Sequence, residues 1–211
     1  MRLDHVSYVA SHEQISDTVQ RIGSQIGTAF VDGGIHPRFG TRNFTAPLLN
    51  GQYIEVVCAL DHPAAEQTAF GQAVSKKAAE GGGWLTWVFA VEDIAPIESA
   101  IGRQAINGHR RRPDGTDLKW KQIGVRELLT DPELPFFIEW QDGHHPSEDG
   151  QAASAISEIV IDEKVGKKSI FLTQIMNALR ENQIDLKKTA VLEPGIQQIV
   201  FAMNGSSIVI D

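Results

Sequence analysis

The chain has 211 residues, a formal net charge of -8, 42% hydrophobic residues and 22% charged residues. Such a length forms one or two domains that bury a core without disulfides or structural metals. The negative balance excludes a phosphate-binding surface as the main business, so no nucleic-acid partner is expected. The single cysteine, Cys58, excludes an internal disulfide framework and fits a reducing cytoplasm. Met1–His5 carries no apolar signal region, and no apolar run approaches the ~20 residues that span a bilayer. A cytoplasmic protein with no membrane partner is expected.

Residues 3–10 alternate as a strand. Ser11, with Gln14 three positions on, makes a capping-box pattern before a helix to about Ile22, which Gly23 ends; Ile15, Val19 and Ile22 stand at helical spacing. About three strands follow: Phe30-Val31, residues 42–49, and Tyr53–Val57, with Asn50-Gly51 marking a hairpin. Residues 63–79 read as a linker helix closed by Gly81-Gly82-Gly83. The order then restarts, with a strand over 84–90, a short helix over 94–101, and strands over 118–123 and 135–140. An offset of 79 lays Ile15 on Ile94, Ile22 on Ile101, His5 on Trp84 and Ser7 on Thr86. A third pass gives a strand over 156–161, a helix over 169–180 with Ile175 and Leu179 on its apolar face, and strands over 190–192, 198–203 and 207–210. The expected class is α+β. Paired βαβββ modules (1–60 and 83–142, joined by the 63–79 helix) occupy 1–150, and a degenerate third βαβββ module occupies 151–211.

Gly51–Val57 and Leu134–Trp140 are alike: each places one carboxylate, Glu55 or Glu139, in a run that otherwise reads as buried strand. An isolated buried carboxylate is costly, so each needs a metal, hydrogen bonds, or a salt bridge to Arg42 or one of Arg110–Arg112. The 79-residue offset puts the mate of Glu55 at 134, so pairing it with Glu139 requires a small insertion, placed in the charged stretch 107–115. The third module has Val209 where the acid would stand. His36 and Asn43 flank the loop Phe39-Gly40-Thr41, which suits orienting a ligand or simple turn chemistry. Arg110 and Arg112 suit a clamp on a carboxylate or phosphate, or a solvated hairpin tip. Trp84, Trp87, Trp120, Phe136 and Trp140 either line a pocket or fill the core. His144-His145-Pro146 reads as a turn with a spare imidazole. There is no dinucleotide or phosphate-binding loop and no nucleophile elbow, and Cys58 has no adjacent base.

The stretches Leu3-Asp4-His5-Val6, Gly34-Ile35-His36-Pro37, Gly40-Thr41-Arg42-Asn43 and Tyr53-Ile54-Glu55 carry a family likeness. So do Arg112-Pro113-Asp114-Gly115 and Leu134–Trp140 in the second unit. In this order the chain resembles the glyoxalase-like domain family of the vicinal oxygen chelate superfamily, which includes glyoxalases, extradiol dioxygenases and bleomycin-resistance proteins. The resemblance implies a cupped mixed sheet around one metal, with ligands from the first and last strand of each module. Carried over by position, these are His5, Glu55 and Glu139; the fourth falls on Trp84, or on Thr86 with a slip of two, neither a histidine. One imidazole and two carboxylates suit a divalent Mn, Fe, Ni, Mg or Zn ion. Glu55 or Glu139 would also serve as general base, and His36, Asn43, Arg110, Arg112 and Trp84 would contact a small oxygen-chelating substrate in isomerase, lyase or dioxygenase chemistry. The alternative is a metal-free cup that binds or sequesters a small molecule, as in the bleomycin-resistance type. Either would act as a monomer or homodimer.

Overall fold

The computed structural model describes residues 1–141, 144–165, 169–190 and 194–211. Strand β1 (Arg2–Val9) leads into helix α1 (Ile15–Ile26), which buries Ile15, Ile22 and Ile26 along one stripe. The helix runs past Gly23 instead of ending there. Gly27 takes the left-handed conformation (φ 66), and the N–H groups of Gly27 and Thr28 both donate to the Gly23 carbonyl. A side chain at position 23 would meet the Thr28 carbonyl oxygen, so Gly23 makes room for the closing turn rather than forming it. Strands β2 (Val31–His36), β3 (Thr41–Leu48) and β4 (Gln52–Ala59) complete the first unit. Asn50 and Gly51, both at positive φ, make the β3–β4 turn. The expected linker helix is two helices, α2 (Pro63–Gln67) and α3 (Ala69–Ala79). They part at Thr68, whose extended backbone frees its hydroxyl to accept from Gly71 N–H and cap α3. The second unit repeats the order: β5 (Gly83–Ala90), α4 (Ala95–Ile101), β6 (Ile106–Arg111), β7 (Asp117–Ile123) and β8 (Phe136–Trp140).

The two units close into a barrel of strand order β1-β4-β3-β2-β6-β7-β8-β5. Within each unit the first and last strands run parallel, β1 with β4 and β5 with β8. The units meet at two antiparallel seams, β1 with β5 and β2 with β6. The second seam is narrow, a single pairing of Ile35 with Arg111. It closes because Gly34 (φ 92) sits against the Arg111 carbonyl, where any Cβ would collide. Helix α3 lays Phe70, Ala73 and Val74 against the inward-facing Val9, Val57, Leu85 and Val88, filling part of the interior. Outward-facing Leu3, Val6, Ile54, Trp87 and Phe89 pack with α1, α4 and the C-terminal unit.

That unit has the expected order: β9 (Ala155–Asp162), α5 (Leu172–Glu181), β10 (Asp185–Thr189), β11 (Ile196–Met203) and β12 (Ser206–Ile210). The strand expected over 190–192 lies, beyond Ala190, outside the described residues. Its pairing departs from the first two units. The sheet order is β10-β9-β11-β12, so the parallel partner of its first strand is its second strand, not its last. This open sheet docks on the outside of the barrel, where the Trp84 indole donates to the Ile210 carbonyl (2.9 Å) and lies near the Phe201 ring. Among the described residues no helix is long and apolar enough to cross a membrane.

Candidate functional site

Two irregularities in the β1–β5 seam decide what the barrel interior contains. Leu3 pairs with Phe89 and His5 with Val88, so Asp4 is an extra residue on β1. Residues two apart on a regular strand share a face; the bulge breaks that rule, and Leu3 packs outward while His5 turns into the barrel. Asp4 is left fully buried with its carboxylate free of the ladder. It accepts from the Trp140 indole (3.2 Å) and Arg2 (2.9 Å) and is hydrogen-bonded to His5 Nδ1 and His145 Nε2 (both 3.0 Å). The second irregularity leaves Leu85 extra on β5, because Ser7 pairs with Thr86 and Tyr8 with Trp84. Trp84 is thereby turned to the outer face, against the C-terminal sheet.

His5, His36, Asn43, Glu55, Arg110 and Gln122 converge on one cavity inside the barrel. Its walls are aromatic: Phe39, Tyr53, Phe70, Trp120, Phe136 and Trp140. The cavity between them is small, about 30 Å³. His5 stacks on Tyr53 with centroids 4.4 Å apart. Its Nδ1 faces Asp4, and its Nε2 lies 4.0 Å from Glu55 Oε2. Glu55 follows from register: Ser7 is beside it on β1 and Asn43 is its same-face diagonal neighbour on β3. Ser7 donates to one oxygen (2.6 Å) and Asn43 to the other (2.7 Å). The Arg110 Nη1 donates to Asn43 Oδ1 at 3.4 Å.

Electrostatics follow from this packing. Burial pushes the Asp4 carboxyl up, but His145 and His5 overcome it and hold the group well below the usual carboxylate range. Burial likewise opposes ionisation of Glu55, and His5, His36, Ser7 and Asn43 together keep its pKa below the ordinary glutamate value. His36, hydrogen-bonded to Thr41 (2.8 Å), is depressed to about 4 chiefly by burial and is neutral at pH 7. Burial raises the Tyr53 phenol and lowers the Arg110 guanidinium.

Three residues expected at the site are elsewhere. The parallel pairs Ser7–Glu55 and Val88–Phe136 are both 48 residues apart, so the second unit has no insertion and the equivalent of Glu55 is Leu134. Glu139 is five positions further, an odd number, and strand alternation turns it outward. There its carboxylate accepts from the Ile94 N–H (2.8 Å) at the start of α4 and from Gln141, with Lys121 at 3.4 Å. Trp84 faces the C-terminal sheet for the reason given above. Arg112 lies just past β6 and pairs with Asp149 (2.7 Å). His145 does reach the neighbourhood, but behind Asp4. The sequence marks Asp4 only as an acid beside His5 in an apolar strand, and nothing in it marks Gln122.

The resemblance implies a metal held by these donors. Glu139 is on the other face, Val88 stands opposite His5 in the seam, both Glu55 oxygens accept hydrogen bonds, and a guanidinium lines the same cavity. Among the described residues no group of three or more His, Cys, Asp or Glu side chains is placed to hold an ion. The donor set does not fit a resident divalent metal.

Residues 3–168 match the sequence profile of a family described as a glyoxalase-like domain. No curated protein matches. Among solved structures, a methylmalonyl-CoA epimerase from Mycobacterium tuberculosis is 16% identical over 67% of this chain and 89% of that chain, with a TM-score of 0.45. A Streptomyces coelicolor methylmalonyl-CoA epimerase in complex with 2-nitronate-propionyl-CoA is 16% identical over 69% and 99%, with a TM-score of 0.44. The profile match spans most of the chain, which belongs to the glyoxalase-like domain family.

Proposed function

We propose that the barrel cavity is a proton-transfer site acting on a small molecule, with His5 as the base. The observation that carries this reading is the Asp4–His5 hydrogen bond, with His5 Nε2 turned to the cavity near Glu55. A carboxylate on Nδ1 fixes the imidazole tautomer with its proton there, so the Nε2 lone pair faces the ligand. Once His5 takes a proton, its positive charge lies between two ionised carboxylates, Asp4 and Glu55. Positioned acid–base groups of this kind contribute about 10²–10⁴-fold in rate. Arg110 and Gln122, on the facing strands, supply N–H donors for negative charge that develops on the substrate. The reaction class this favours is proton abstraction next to a carbonyl, as in isomerisation or epimerisation.

The test is solvent exchange. Pooled compounds with a C–H beside a carbonyl are incubated with the protein in D2O, and deuterium uptake is read by mass spectrometry. The expected result is uptake into at least one compound, slowed about a hundredfold or more in His5→Gln. Uptake unaffected by His5→Gln overturns the assignment. Uptake lost with a chelator and restored by Mn, Fe, Ni or Zn restores the metal-dependent reading. Saturable binding without any exchange moves the protein to the binding class.

A further inference from the structure

The donors that the proton-transfer reading draws on leave an imbalance in the cavity that says more about the ligand. Every buried polar atom of its lining without a hydrogen-bond partner among the described residues is a nitrogen donor: Arg110 Nε, Arg110 Nη2 and Gln122 Nε2. The Gln122 orientation is fixed because its oxygen accepts from the Trp120 indole (2.5 Å), which can only donate. Both Asn43 Oδ1 and the two Glu55 oxygens are already accepting. These three donors have no acceptor within reach, and a ligand that satisfies them must bring acceptors of its own.

The geometry of the unpartnered atoms narrows the class. Nε and the Nη2 beside it form one edge of the planar guanidinium, with two N–H bonds pointing the same way, the fork that matches a carboxylate. The opposite end of the group is held by Asn43. Gly33 permits this, since a Cβ there would lie 2.8 Å from Arg110 Nη1. We infer that the cavity binds a monocarboxylate with an apolar body, gripped side-on by the Nε–Nη2 edge of Arg110, with the Gln122 amide as third donor. The inference rests on the cavity being the small-molecule site proposed above and names the class of molecule it takes. Glu55 in the same cavity disfavours a doubly charged anion by repulsion. The small free space admits a flat three-atom head more readily than a tetrahedral phosphate, and the aromatic walls suit an apolar body.

The experiment reads binding without turnover. Formate, propionate, benzoate, benzamide and inorganic phosphate are titrated by calorimetry into the wild-type chain, Arg110→Lys and Arg110→Gln, with thermal unfolding confirming that each variant is folded. The expected result is saturable binding of at least one carboxylate and at least tenfold weaker binding of benzamide than of benzoate. Arg110→Lys, which keeps the charge and loses the fork, binds at least tenfold more weakly, and Arg110→Gln more weakly still. If no carboxylate binds, if benzamide equals benzoate, if Arg110→Lys binds like the wild type, or if phosphate binds tightest, the inference is overturned. Failure of the deuterium-exchange test with carboxylate binding intact removes the proton-transfer reading alone. Exchange into neutral carbonyl compounds that is unchanged in Arg110→Gln removes this inference alone.

Discussion

Arg110→Met should make the ligand-free protein more stable. Arg110 is 2% exposed, and two of its three guanidinium nitrogens have no partner among the described residues. A buried polar group left unpaired costs about 1–3 kcal/mol, and an apolar side chain of similar length removes that cost. Against this, the variant gives up the long 3.4 Å contact to Asn43 Oδ1 and the attraction to Glu55. The net expectation is a gain of about 1–3 kcal/mol. For a chain of this size each kcal/mol moves Tm by about 2–4 °C, so Tm should rise by roughly 2–12 °C. Scanning calorimetry in buffer free of carboxylates reads this, with urea unfolding to check that the m value is unchanged. An unchanged or lowered Tm in Arg110→Met would refute the reasoning, because it would mean the guanidinium edge is already satisfied in the free protein. A stability gain beside a binding loss is what a site held ready for a ligand should show.

Two further outcomes follow from the geometry. His36 has a folded-state pKa near 4 against an ordinary value of 6.5, so the unfolded chain binds its proton first on acidification. Stability from this residue is whole above pH 6.5 and falls by about 3 kcal/mol as pH drops toward 4; urea midpoints at half-unit pH steps should show the slope in the wild type and a flatter one in His36→Gln, and equal slopes would exclude it. Glu139→Ala should lower stability by about 1 kcal/mol through loss of the acceptor at the start of α4, yet leave carboxylate binding and deuterium exchange unchanged; a tenfold loss of either would return Glu139 to the site.

Much of the architecture was legible in local pattern. Isoleucines at helical spacing placed α1, the Asn50-Gly51 pair placed the β3–β4 hairpin, and the restarted order at Gly83 gave the second unit. His5 and Glu55 stood out because a titratable group inside an apolar strand demands a partner. Asn50 and Glu55 announce themselves through their immediate neighbours, which is all that a linear reading has. Glu139 looked equivalent by the same local criterion, but its face depends on parity across the β5–β8 pairing, and a shift of one residue reverses every side chain. Asp4 and Leu85 are bulges only relative to the strand opposite, so no property of their own segments reveals them. The two bulges nonetheless send His5 inward and Trp84 outward. Arg110 could be named as a clamp from its charge, but the emptiness of its Nε–Nη2 edge is a property of everything packed around it. Identity and spacing thus sufficed for the elements and for which groups need partners; which partners they found required strands far apart in sequence to be set side by side.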